Sequence, residues 1–463
     1  MANTAILSGI VTGCLLMALT ILSQMSIMFA IRYHRGHVQF PVHMINWLFV
    51  TLGIGNIFGS VVFSFLAEKV GRKHTLTALG VQFGLSFFMS ELSIHSAVLF
   101  ISKFIAGLSV GGTYVVVPIY IGEVAEKTSR GRLIALMYPS LAIANFFVIG
   151  FLEPLGGYGL SSILNYISAS VAIIATILSV TLVEESPFYY LTIGRELAAK
   201  SSLVKLRSNH SNHQMEFNEI QNKVQPDIPD IEVGEKVSTF VKYSWLKPLL
   251  LMTGILGLRS LSGLSSSNFF MTHILQSGDW DWKLIMILFS AVHLLGSFVI
   301  LFIIDKYGRK LPLIVSVILM SVLYIFLFVL VLMDRHGIHN YISPYLLSAV
   351  SILSYLAVDI GVGPIPFVLL GELFPLRNKM MCAGISMALH FILTLLLPII
   401  MIGINHSGPG PYINIIISIA VAISLVILVK YYYPETKDKS LNEIQVEINK
   451  NSPPSNNSPI LTK

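Results

Sequence analysis

The chain has 463 residues, of which 54% are hydrophobic and 12% charged, with a formal net charge of +6; its mean hydropathy is +0.75. This balance excludes a soluble globular domain, a disordered chain and a fibrous one, and it suffices for twelve spans of about 20 residues. The positive balance is not read as nucleic-acid affinity, because membrane proteins keep Lys and Arg on the cytoplasmic side.

Long apolar runs between polar breaks predict an all-α membrane protein; alternating barrel strands are absent. The N-terminal stretch MANTAILSGIVTGCLLMALTILSQMSIMFA carries no basic n-region, and its apolar run is too long for a signal-peptide core, so it is taken as a retained first span. In chain order the predicted transmembrane helices are 5–30, 43–67, 75–93, 97–121, 133–152, 163–183, 247–275, 283–304, 311–333, 342–371, 381–404 and 412–433. Cys14 and Cys382 both lie in apolar runs, which excludes a disulfide framework.

Charge orients the chain with both termini cytoplasmic. Short inner loops then hold Lys69, Arg72, Lys73, Lys127, Arg130, Arg132, Lys306, Arg309, Lys310, Arg377 and Lys379, against Arg32, Arg35, Lys283 and Arg335 outside. The predicted organisation is a six-helix bundle over 1–183, a cytoplasmic linker over 184–246, a second six-helix bundle over 247–433 and a largely disordered cytoplasmic tail over 434–463. Within the linker, GRELAAKSSLVKLR suits short amphipathic helices at the membrane surface.

The halves echo each other. Glu68-Lys-Val-Gly-Arg-Lys73 returns as Asp305-Lys-Tyr-Gly-Arg-Lys310. Glu123 and Arg130 after the fourth span answer to Glu372 and Arg377 after the tenth. Glu185-Ser186-Pro187 after the sixth answers to Pro434-Glu435-Thr436 after the twelfth. Three echoes in order predict a duplicated six-helix unit, a transporter architecture with the solute site between the halves. The loop glycine permits a turn, the acid can cap a helix N-terminus and the bases can meet helix C-termini or lipid phosphates. Two equivalent copies favour an inter-helix clamp that must loosen in transit over a plain positive-inside anchor.

From Trp47 to Ile444 the chain resembles a sugar porter of the major facilitator superfamily. The resemblance is carried by Gly71-Arg72-Lys73 with Gly308-Arg309-Lys310, Tyr120-Ile-Gly-Glu123 through Arg130-Gly131, Glu185-Ser186-Pro187, Gly361-Val-Gly-Pro-Ile-Pro366 with Gly371-Glu-Leu-Phe-Pro375, and Pro434-Glu-Thr-Lys437 with Ser440-Leu441. The short N-terminus and Asn46-Trp47 look most similar to the insect facilitated trehalose transporter group. The resemblance implies facilitative sugar transport by alternating access across the plasma membrane. It assigns clamp or gate roles to Glu68, Arg72, Lys73, Glu123, Arg130, Asp305, Arg309, Lys310, Gly361, Gly363, Pro364, Pro366, Glu372 and Arg377.

Departures from the family pattern concentrate on the sugar site. The seventh span reads Arg259-Ser260-Leu261-Ser262-Gly263-Leu264-Ser265, where sugar porters carry two Gln and an Asn. Phe367 stands where the family has Trp after the second Pro, and His390-Phe391 where it often has Asn-Trp. Amides suit sugars because each offers donors and an acceptor to neighbouring hydroxyls. The candidate solute contacts are therefore Asn145, Arg259, Ser260, Ser265, Phe367 and His390. The open alternatives are a carrier of an acidic or modified solute, a proton-coupled symporter, and a transport-inactive sensor or receptor.

Arg259 lies roughly 18 Å from the inner edge and Asp359 roughly 20 Å, at 1.5 Å per helical residue. An isolated charge at that depth costs at least ~2.5–3.5 kcal/mol, so an Arg259–Asp359 ion pair is expected. Lys103, near the outer end of the fourth span, is expected to snorkel outward. His43, His293 and His390 are read as hydrogen-bonding core residues. No His/Cys/Asp cluster has metal-ligand spacing, and no metal or other cofactor is expected. No phosphate-cradling Gly-rich Lys-Ser/Thr loop is present, which argues against ATP-driven pumping. Proton-coupled sugar porters resemble this chain but carry an Asp in the first span; residues 1–67 contain no Asp or Glu, which favours downhill transport, with Asp359 the intramembrane acid that could overturn it. Asn405-His-Ser407 fits a glycosylation acceptor in an outer loop, whereas Asn209-His-Ser211 falls on the cytoplasmic side. The expected partners are a small-molecule sugar and the lipid bilayer, with no nucleic acid.

Overall fold

The computed structural model describes residues 2–34, 43–93, 95–152, 160–207, 216–218, 220–221, 245–261, 282–335, 344–405, 410–439, 443–444 and 447–448. Among the described residues there are helices and turns but no strand. The first half contains α1 (Ala2–His34), α2 (His43–Val70), α3 (Arg72–Glu91), α4 (Ser96–Val124), α5 (Arg130–Ala135), α6 (Met137–Phe146) and α7 (Leu160–Thr181). The short α8 (Pro187–Thr192) and α9 (Glu196–Leu206) follow. The second half contains α10 (Leu246–Arg259), α11 (Trp282–Tyr307), α12 (Lys310–Arg335), α13 (Pro344–Ile360), α14 (Ile365–Glu372), α15 (Lys379–Asn405) and α16 (Gly410–Tyr431).

Nine helical segments among the described residues are long and apolar enough to cross a membrane. Each of the other three expected spans has a helix. Arg72–Glu91 is the more polar α3, α10 stops at Arg259 with 262–281 outside the described residues, and the apolar part of α16 is the shorter Ile416–Tyr431.

Two spans are interrupted: the fifth, for which a continuous helix was expected, and the tenth, where Gly361, Gly363, Pro364 and Pro366 had already argued against a continuous straight helix. The fifth is α5, α6 and a π-helical stretch, Phe147–Leu152. Pro139 has no N–H to give to Ala135, and the helix divides in that turn. The tenth is α13 and α14, separated at 361–364. Gly361 and Gly363 both turn back to the Val358 carbonyl, at 3.2 and 2.9 Å. The Ala357 carbonyl then accepts from Ser316 Oγ of α12 at 2.6 Å, and the Val362 N–H donates to that same oxygen at 3.0 Å. Pro366 has no N–H for the Val362 carbonyl, which is left to accept a bond from elsewhere.

The two halves meet along two seams. In one, α2 packs on α15, with Gly384 against Ser64 near the inner end and Gly53 against Leu395 further along. In the other, α5, α6 and the π-helical stretch pack on α11. At the end of the bundle that carries the loop motifs, α4 closes against α14. A Cβ on Gly371 would lie 2.9 Å from the Pro118 carbonyl and 2.7 Å from Ile134 Cδ1, and one on Gly122 would lie 3.1 Å from the Gly371 carbonyl. Such proximity leaves no aqueous passage between those helices.

Beyond the sixth span, α8 and α9 build a small satellite core from Phe188, Leu191, Ala199, Leu203, Phe217 and Ile220. Ser186 caps α8, its hydroxyl accepting from the Tyr189 N–H. The α9 helix covers the stretch expected to be amphipathic; the linker residues 208–215 and 222–244 lie outside the described residues.

Candidate functional site: a central cluster and a doubled loop clamp

The two loop motifs fold alike. Gly71 takes φ +107° and Gly308 φ +81°, backbone that glycine tolerates without strain. Glu185 accepts the N–H groups of Arg72, Lys73 and Ser186 at 2.9, 3.0 and 2.9 Å. Glu435 accepts those of Arg309 at 3.0 and 3.2 Å, Lys310 at 3.0 Å, Thr436 at 2.9 Å and Lys437 at 3.0 Å. The N-terminal N–H groups of α3 and α12 are thus capped by acids that follow the last span of each half. The motif acids were expected to cap, but Glu68 is exposed, and Asp305 pairs instead with Arg132 at 3.5 Å across the seam. Burial pushes the Glu185 carboxyl above the usual carboxylate range, against the pull of its three backbone bonds.

Above each cap sits a buried ion pair. Arg72 grips Glu123 through Nε and Nη2, both at 3.1 Å. Arg309 grips Glu372 through Nε at 3.1 Å and Nη2 at 2.7 Å, and Thr436 Oγ1 donates to the same carboxylate at 2.8 Å. Bidentate geometry makes these strong, and loss of one partner would strand a buried charge. Lys310 donates to the carbonyls of Lys430 at 2.9 Å and Tyr433 at 3.1 Å, near the end of α16. Gly131 packs directly on the Arg309 guanidinium, so the second clamp touches the first half. Arg130 is buried beside Glu372 and Arg309, but its Nε has no hydrogen-bond partner among the described residues; neither has the buried Lys379 Nζ. Arg377 belongs to a 3-10 turn, Leu376–Asn378, and its side chain lies outside the described residues.

At mid-depth, aromatic residues from both halves converge. Tyr114 of α4 stacks on Phe367 of α14 with ring centroids 5.3 Å apart and meets Phe391 of α15 edge-on at 5.8 Å. The Arg259 guanidinium lies 5.1 Å from the Phe367 centroid, and its Nε donates to the Val362 carbonyl at 3.1 Å, the acceptor left over by Pro366. Ser260 Oγ donates to the Leu256 carbonyl at 3.0 Å and shares a 2.7 Å bond with His390 Nδ1, which also faces that carbonyl at 3.3 Å. An Nδ1–H tautomer satisfies all three contacts. Arg259, Ser260, Phe367 and His390 are therefore brought together. Asn145 is buried on α6, seven residues beyond Tyr138 and so on nearly the same helix face. Ser265 lies outside the described residues, as does the side chain of Asn405, the last residue of α15.

The expected Arg259–Asp359 pair is not formed; among the described residues no ion pair joins them. Asp359 accepts from Tyr138 Oη at 2.8 Å and lies 3.0 and 3.1 Å from His293 Nδ1. Depth along the helices was right, but Arg259 points to the α14 break and Asp359 to the α6–α11 seam. Tyr138 and His293 were missed as site residues. Their signal was present: a buried tyrosine hydroxyl requires a partner, and His293 lies twelve residues before Asp305, roughly 18 Å deep, matching Asp359. Lys103 differs as well. Its ammonium is buried and donates to Ser26 Oγ of α1 at 2.6 Å instead of reaching outward.

Membrane-length apolar helices, loop clamps repeated in each half of the chain and a polar-aromatic centre between them belong to a multi-pass membrane protein of the major facilitator fold. Residues 3–448 match the family described as Sugar (and other) transporter, and the chain belongs to it. It is 26% identical over 411 residues to the facilitated trehalose transporter Tret1 of Anopheles gambiae, covering 87% of this chain and 50% of that protein. With the Culex quinquefasciatus Tret1 the identity is also 26%, covering 87% and 77%. The chain spans about half the length of the first of these relatives. Among solved structures, the proton:xylose symporter XylE bound to 6-bromo-6-deoxy-D-glucose superposes with a TM-score of 0.80 at 18% identity, covering 96% of this chain and 100% of that one. The inward-open conformation of XylE from E. coli, with the same identity and coverage, reaches 0.67.

Proposed function

We propose that the chain carries a sugar, hexose or trehalose-like, across the plasma membrane by alternating access, with both termini in the cytoplasm. The carrying observation is the cluster of Tyr114, Phe367, Phe391 and Arg259 contributed by both halves. Aromatic faces suit the C–H surface of a sugar ring, and the guanidinium supplies donors to its hydroxyls. Asn145, Ser260, Ser265 and His390 complete the proposed contact set in place of the family's missing amides. The halves, 1–183 and 247–433, rock as bundles joined by the linker 184–246, and 434–463 forms the tail. Glu68, Arg72, Lys73, Glu123 and Arg130, with Asp305, Arg309, Lys310, Glu372 and Arg377, form the inner clamps. Gly361, Gly363, Pro364 and Pro366 supply the hinge. Asn405 is the proposed glycosylation position.

Arg259 supports a second reading, a solute bearing a carboxylate, because a half-buried guanidinium is a bidentate anion partner. Uptake by the reconstituted full chain of radiolabelled trehalose, glucose and a uronic acid tests both. Saturable uptake of a neutral sugar supports the first reading; uptake of the acid alone supports the second. Transport of none of them overturns both and leaves a sensor.

A further inference from the structure

The proposed solute contacts leave unused a buried acid on the α6–α11 seam. Asp359 closes the last turn of α13, immediately before the break, and its side chain is wholly buried. One carboxylate oxygen accepts from Tyr138 Oη of the opposite half, and both lie within bonding distance of His293 Nδ1. The rings are held in place: His293 meets Tyr138 edge-on at 5.7 Å and Tyr355 edge-on at 5.6 Å. Gly296 gives the carboxylate room, since a Cβ there would stand 2.7 Å from Oδ2.

The charged and titratable neighbours can be named. From α6 comes Tyr138, from α11 His293, and from α13 itself Tyr355. Arg259 of α10 lies within electrostatic reach of Tyr138 and Tyr355. The α12 contribution is Ser316, which bonds backbone. With Asp359 ionised and His293 neutral, the pair carries one negative charge; one added proton makes it neutral.

We propose that Asp359 and His293 form a proton-binding site linked to the rocking of the halves, so that the solute crosses together with a proton. The proton belongs to the pair, not to either residue alone. An ionised Asp359 holds Tyr138 by a charge-assisted bond, roughly twice as strong as a neutral one. A facing in which α6 slides off loses that donor and admits water to the carboxylate in its place, so the pair meets different surroundings, and holds a proton with different affinity, in the two facings. Different proton affinity in the two facings is the thermodynamic condition for coupling. The His293 side chain is 11% exposed against none for Asp359, so the imidazole is the group through which the proton enters. The site also supplies the acid missing from residues 1–67, on the other half of the molecule.

The cargo in this inference rests on the carrier reading above; the proton site does not. Two measurements on the full chain keep them apart. The first is the pH-induced infrared difference spectrum of purified protein between pH 5 and 8. Wild type should show a carboxyl or imidazole band that is lost in Asp359→Asn and altered in His293→Gln. Spectra identical among the three proteins overturn the proposal whether or not any sugar is moved. The second is uptake of radiolabelled trehalose and glucose into proteoliposomes with the membrane potential clamped. An inward proton gradient should raise wild-type accumulation several-fold above equilibrium, and the ratio with and without the gradient should fall to one in His293→Gln. Saturable wild-type uptake that only equilibrates, whatever the gradient, overturns proton coupling and leaves the carrier reading intact.

Discussion

Replacing Gly371 by alanine tests whether the α4–α14 contact closes the end of the bundle that carries the loop motifs, the side proposed to be cytoplasmic. The new Cβ would lie 2.9 Å from the Pro118 carbonyl and 2.7 Å from Ile134 Cδ1. Ile134 can turn away, but the carbonyl is helix backbone, and the gap is roughly half an ångström short of an ordinary carbon contact. Overpacking of this kind costs about 1–3 kcal/mol. The clash exists only while α14 faces α4, so parting the halves relieves it without unfolding either. The whole cost should then appear as a shift in the closed-to-open equilibrium of about 5–150-fold. Cys382 is a native reporter: it is buried near the inner end of α15, two residues before the Gly384–Ser64 contact of the other seam. In a Cys14→Ser background, an impermeant maleimide applied to the face that carries the loop motifs should label Cys382 at least 5-fold faster in Gly371→Ala. An unchanged labelling rate, accompanied by a fall in thermal stability of the expected size, would refute the reasoning, because the strain would then be relieved by unfolding and not by opening.

Three further outcomes follow from the same geometry. Gly308→Ala should lower the melting temperature more than Gly194→Ala: both have positive φ, but a Cβ at 308 meets Glu435 Oε2 at 2.6 Å, whereas one at 194 meets nothing within 4 Å. The position-194 change should cost the backbone alone, about 1–2 kcal/mol, and equal losses at the two sites would remove the capping role of Glu435. Lys103→Met should leave the melting temperature unchanged or raise it, since it removes a buried ammonium while Ser26 keeps its 2.8 Å bond to the Ser23 carbonyl. A fall of many degrees would show the cation to be a structural cross-link. Arg259→Gln should raise neutral-sugar uptake relative to uronic-acid uptake if the guanidinium selects for charge, and a panel in which all solutes decline in proportion would exclude that selection.

What the sequence revealed of this molecule follows from what a linear pattern can encode. Helix positions and the repeat were legible because bilayer thickness imposes a length, and because the turn glycines Gly71 and Gly308 and their acid partners Glu185 and Glu435 recur in order. Depth was legible too, at 1.5 Å per residue, and it placed Arg259 and Asp359 together. Direction around the helix axis was not. Each residue turns the helix by about 100°, so a small error in register or a local break sends a side chain to another neighbour. The tenth span contains such a break between Asp359 and Phe367, and the fifth divides ahead of Tyr138. Those interruptions present the Val362 carbonyl to Arg259 and the Tyr138 hydroxyl to Asp359. In the tenth span the prolines and glycines that suggested a gate are thus the same residues that defeat extrapolation through it, whereas the break in the fifth, ahead of Pro139, was not foreseen. A polar residue beside a predicted break is therefore best matched by depth to every polar residue on the opposing spans, a search that would have brought His293 to Asp359.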